Sequence, residues 1–162
     1  MAKHVLHNDV NLFDFVLIGI SSVEDQYVIV NNINETLHID LALSHNLRSA
    51  SKGSDLFDFS VYGFIDEDLG LEYYVIPNKS NHRPKQKAGP AIDLFTDSKQ
   101  NIEQSILLIN ELPRTNYFFL LKGESALHEQ YNIFTLLRKI ECIEQVHEII
   151  PEKLASRNNL IF

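Results

Sequence analysis

Cysteine is nearly absent. The single thiol, Cys142, excludes an intrachain disulfide framework and any CxxC metal or redox site. Glycine (6) and proline (5) are scarce in the 162 residues, which excludes collagen-like and broadly low-complexity chains. The glycines stand far apart, at 19, 53, 63, 70, 89 and 123, so neither GxGxxG nor GxxxxGK[ST] is present to cradle a phosphate. Long hydrophobic runs are missing as well. The longest, Phe15–Ile20, has six residues, whereas a membrane helix needs roughly 20. Positive charge is in deficit: 14 Lys and Arg against 22 Asp and Glu leave a net charge of −8. That excludes a protein that coats nucleic acid with its whole surface. The start, Met1 to Asp9, has no apolar h-region of a signal peptide, and Asn159–Phe162 is no CaaX box. These features lead us to expect a soluble cytoplasmic protein that makes no membrane contact.

What is present is core material. With 44% apolar residues, the chain can build one domain over 1–162. Phe13–Ile20 is short, apolar and β-branched and reads as a buried strand. Ser21 and Glu24 have capping-box spacing. Behind them Val23, Tyr27, Val30, Ile33 and Leu37 make an apolar stripe on a helix over about 22–36. Residues 37–43 alternate and predict a short strand, and 44–55 read as a loop. Leu56–Ile65 and Leu71–Pro77, joined by Asp66–Gly70, predict a hairpin. Ile106–Ile109 predicts a strand, and Asn116–Lys122 a strand buried on both faces. Ser125 opens a helix whose stripe is Leu127, Tyr131, Phe134, Leu137 and Ile140. Val146–Ile150 reads as a last strand, and Leu160-Ile161-Phe162 should dock on the body. The expected architecture is therefore α+β. It is a two-layer sandwich with a mainly antiparallel or mixed sheet, two helices on one face, and split-βαβ, ferredoxin- or ACT-like character.

Chemistry-bearing patterns are thin. Seven histidines are scattered, and only His4 and His7 are close in sequence, so metal-ligand spacing is missing. Asp66, Glu67 and Asp68 are consecutive at a hairpin tip, where their side chains diverge into solvent. Gly19-Ile20-Ser21-Ser22-Val23 lacks the second glycine of a nucleophile elbow. Cys142 reads as a half-buried structural residue. Tyr117, Phe118 and Phe119 fall in a continuous apolar run, which favours core over base stacking. No catalytic residue, metal ligand or cofactor-binding residue is assigned, and no cofactor is expected.

One segment stands out. Lys79-Ser80-Asn81-His82-Arg83-Pro84-Lys85-Gln86-Lys87 carries four cations and no acid. It lies in an expected mobile loop at about 78–91. Without it the balance is 10 basic against 22 acidic residues, since 14 − 4 = 10. Lys79, Arg83, Lys85 and Lys87 are thus candidate contacts for an anionic partner. A solvated loop that interacts only with the body is the simpler reading.

Several segments together have a familiar cast. They are Asp14-Phe15-Val16-Leu17-Ile18 followed by Glu24-Asp25-Gln26-Tyr27, the hairpin Leu56–Asn78, and Tyr117-Phe118-Phe119-Leu120. The most specific are Pro151-Glu152-Lys153-Leu154 and Ser156 through Phe162. On these the chain resembles, from end to end, the bacterial IPExxVDY family of small cytoplasmic proteins. Leu112-Pro113 and Asn116-Tyr117 match the two ends of the naming motif, with only Arg114 and Thr115 between them. The resemblance implies a domain of this length and carries no activity or site residue. The sequence reading therefore favours a non-enzymatic module that binds a protein partner or small ligand. A homodimer paired through sheet edges is a further expectation. The alternatives are an enzyme whose site is assembled from distant residues, and nucleic-acid binding through 79–87.

Overall fold

The computed structural model describes residues 15–50, 56–82 and 105–162. Strand β1 spans Phe15–Ser21, helix α1 Gln26–Leu37, β2 Ala42–Ala50, β3 Leu56–Asp66 and β4 Leu71–Pro77. Then follow β5 (Asn81–His82), β6 (Tyr117–Lys122), α2 (Ala126–Leu137) and β7 (Gln145–Ile149). Two 3-10 turns, Pro151–Lys153 and Arg157–Leu160, close the chain. All strand pairs are antiparallel, in the order β2-β3-β4-β6-β1-β7, with the short β5 also pairing with β3. The fold is α+β.

The order explains the layers. β6 and β7 both run antiparallel to β1, which lies between them, so they are parallel to each other and α2 must cross over β1. Likewise β1 and β2 are parallel, with β6, β4 and β3 between them, and α1 crosses those three. The two crossovers start from oppositely directed strands and move in opposite senses. Right-handed connection then puts both helices on the same face. Their buried residues share one cluster: Ile29 and Ile33 of α1, and Ile133 and Leu137 of α2, pack on Ile18, Ile20, Tyr73, Val75, Phe119 and Leu121.

The opposite face is not left to solvent. Leu17, Phe59, Ile76, Phe118 and Leu120 are covered by Leu108, Ile109, Leu154 and Leu160, which come from irregular segments. Residues Tyr117–Leu121 are therefore all buried, odd positions under the helices and even ones under this cover. Each such side chain contributes about 1.5–3 kcal/mol relative to exposure. Leu160 is fully buried and Phe162 packs beside it, as the apolar tail led us to expect; Ile161 points outward.

Asn78 holds the covering segment in place. Its Nδ2 donates to Leu112 O at 2.8 Å and Thr115 O at 3.0 Å, and its Oδ1 accepts from Ile109 N at 2.9 Å. Its backbone N–H donates to Asn116 O, and its carbonyl accepts from Leu108 N. An apolar run that would otherwise pair as a strand is thus pinned as a bend. Only an isolated bridge, Lys79 to Leu107, survives where the sequence predicts a strand.

Other expectations are corrected. Helix α1 begins after Asp25, and Ser21 belongs to β1, so the anticipated capping box does not form. Ser22 acts instead, its Oγ accepting from Glu24 N and donating to Cys142 O. Residues 42–50, expected mostly as loop, form the edge strand β2, with a bulge between Leu43 and His45. The expected helix stripes hold in part: Val30, Ile33, Leu137 and Ile140 are buried, but Val23, Tyr27, Leu127 and Tyr131 are exposed, and Ile29 and Ile133 are buried in their place. Asn78 and Ser80, placed in the basic loop by the sequence, are buried, and Asn81–His82 pair with β3.

Candidate functional site

The basic segment contributes one described cation. Lys79 is exposed beside the Leu107 bridge. Arg83, Lys85 and Lys87 lie outside the described residues, as does the rest of the loop to residue 91.

The remaining candidates serve structure. Asp66 Oδ1 accepts the N–H groups of Asp68 and Leu69, which shapes the hairpin turn. Among the described residues no three His, Cys, Asp or Glu side chains come together in a group that could hold a metal ion. His38 takes the left-handed conformation that ends α1, and the His45 ring lies 5.5 Å from that of Phe162. Burial pushes the Cys142 thiol up, away from the reactive thiolate. Burial also holds the Lys122 amine below its ordinary value, and its Nζ lies 4.4 Å from the Phe162 ring centre. Tyr74 is pushed up to about 12, by burial first and then by its hydrogen bond to Glu72.

One hydroxyl does meet a base. Thr115 Oγ1 and His147 Nε2 are 3.2 Å apart. The imidazole lies against Gly19, where a Cβ would run into its Cε1 and Nε2 atoms. Burial lowers the pKa of this histidine, and among the described residues its Nδ1 has no hydrogen-bond partner. Among the described residues no third group orients the ring through that nitrogen, and Thr115 is buried. A nucleophile needs both access and an oriented base; among the described residues Thr115 has neither, and the pair packs the end of the sheet.

An open concave feature lies on the helix side of the sheet. Helix α1 leaves a groove of about 380 Å³ against Tyr62 of β3 and Leu41, the residue before β2. Tyr27, Val30, Asn31 and Asn34 form one wall, with Leu41 and Tyr62 facing them. The sequence builds the wall by turning the Ile29, Val30 and Ile33 arc to the core, which brings Tyr27 and Asn31 outward. Asn34 fixes the floor, its side chain exchanging two hydrogen bonds with the Leu41 backbone at 3.2 and 2.8 Å. Gln26 Nε2 ties the helix to the sheet by donating to Ser60 O at 2.9 Å. Asn31 Nδ2 donates to Glu35 Oε1 at 3.0 Å. The lining holds amides, phenols and aliphatic groups and no charged side chain. Such a lining can stack, fill and hydrogen-bond.

The sequence reading placed Tyr27 in the core and did not single out Asn31 or Tyr62. A wheel of α1 centred on Ile29 and Ile33 separates them. No family model matches the chain, and neither a curated protein nor a solved structure matches it.

Proposed function

We propose that this protein is a non-catalytic binding module that takes a small ligand or a partner segment in the groove between α1 and β3. The supporting observation is the uncharged lining of Tyr27, Asn31, Asn34, Leu41 and Tyr62 in a chain of net charge −8. Recognition there rests on shape, aromatic contact and amide hydrogen bonds, and an uncharged occupant suits it best. The resemblance to the IPExxVDY family is compatible with this reading and contributes no residue to it.

Thermal unfolding against metabolites, nucleotides, divalent metals, short RNAs and short peptides tests the reading. A ligand at about 100 times its Kd adds roughly 2.7 kcal/mol, which raises the melting point by about 5–10 °C. The raise should vanish in Tyr27→Ser, whose exposed side chain leaves the fold untouched. Stabilisers that act equally on the variant and the wild type would overturn the groove assignment. A stabilising RNA that loses its effect with salt would move the function to the basic segment.

A further inference from the structure

We propose that β2 is a docking edge for a second copy of this chain, with the two β2 strands pairing antiparallel across a two-fold axis. The inference is independent of the groove reading. Among the described residues the sheet ends in two edges, β2 and β7. β7 has five residues, and Glu144 and Glu148 stand at it, exposed. Short length and charge are the usual defences against edge pairing. β2 has nine residues, no carboxylate, no proline and a single cation, Arg48. Two bodies of net charge −8 repel one another, so an edge free of carboxylates is where they approach most easily.

Among the described residues the outer side of β2 has no partner. Its unpaired N–H and C=O groups accept only an extended segment, and β2 itself fits. With Asn46 on the axis, the two Asn46 amides meet and can exchange a hydrogen bond. His45 then stands opposite Leu47 of the second copy, twice, so no like charges are opposed. His45 and Leu47 both project to the face covered by the tail: His45 meets the Phe162 ring, and Leu47 packs beside Phe59. The bulge between Leu43 and His45 confines pairing to the residues after it. The interface is therefore small, and the dimer dissociates on dilution.

Sedimentation equilibrium of the full chain, from low micromolar to near-millimolar concentration, tests this. The expected result is a rise from one chain mass to two. Asn46→Lys puts like charges on the axis and should hold the protein at one chain mass throughout. Asn46 is exposed, so an unchanged melting curve separates lost pairing from lost folding. Glu148→Lys on the opposite edge should still dimerise. A wild type that stays monomeric at the highest concentration overturns the proposal. So does a dimer that survives Asn46→Lys.

Discussion

Removing the Asn78 side chain is the sharpest test of how the sheet's second face is built. Asn78→Ala abolishes three hydrogen bonds and leaves buried Ile109 N–H and the carbonyls of Leu112 and Thr115 without that partner. A net hydrogen bond is worth about 1 kcal/mol, and a stranded buried group costs about 1–3 kcal/mol. Local relaxation lets water reach some of these groups, so the sum is about 3–5 kcal/mol. That is a large share of the roughly 5–15 kcal/mol available to a domain. At about 2–4 °C per kcal/mol the melting point falls by about 6–20 °C. Urea unfolding with unchanged slope, plus hydrogen exchange at Leu108, Ile109 and Thr115, reads both stability and place. Asn78→Asp separates donors from shape. It keeps an acceptor for Ile109 N–H but turns an anion toward two carbonyls, which raises the carboxyl pKa in the folded state. Its deficit relative to wild type should therefore be full at neutral pH and shrink as pH falls through that raised value. A loss below about 0.5 kcal/mol in Asn78→Ala, with exchange at 108–115 unchanged, would refute the reasoning.

Three further outcomes follow from the packing. Gly19→Ala drives a Cβ into the His147 ring and should cost about 1–3 kcal/mol; chemical denaturation should show part of this recovered when His147→Ala is added. Because burial lowers the His147 pKa from 6.5, its neutral form is favoured in the folded state, and stability is lost as pH falls below the ordinary value toward the folded one. Melting curves from pH 7.5 to 5 should accordingly fall less steeply in His147→Gln. Leu160→Ala removes a fully buried anchor of the tail and should cost about 2–5 kcal/mol by urea unfolding; a near-neutral result would mean that the tail is not part of the core.

The sequence states most of the architecture because its strongest signals are burial signals. A run such as Tyr117-Phe118-Phe119-Leu120-Leu121 has no polar side to show to water, so it must sit centrally. Likewise Asp66–Gly70 can only turn. The edge strand was harder to see. In β2 the residues from Ala42 to Asn46 are exposed, so no alternation marks it, and pairing with β3 forms it. Ile106–Ile109 misleads in the other direction, since an apolar run is pinned as a bend by a side chain some 30 residues earlier in the chain. The groove was least legible. Tyr27 has the spacing of a core residue, and only the competing Ile29 and Ile33 arc decides which way α1 turns.

The most direct test of the binding account is a map of backbone amide shifts in the labelled protein, titrated with an uncharged fragment and short-peptide library. The account predicts saturable shifts concentrated at residues 27–34, Leu41 and Tyr62, abolished by Tyr27→Ser. Shifts centred instead on Thr115 and His147, with turnover of the added compound, would contradict it and make the protein an enzyme.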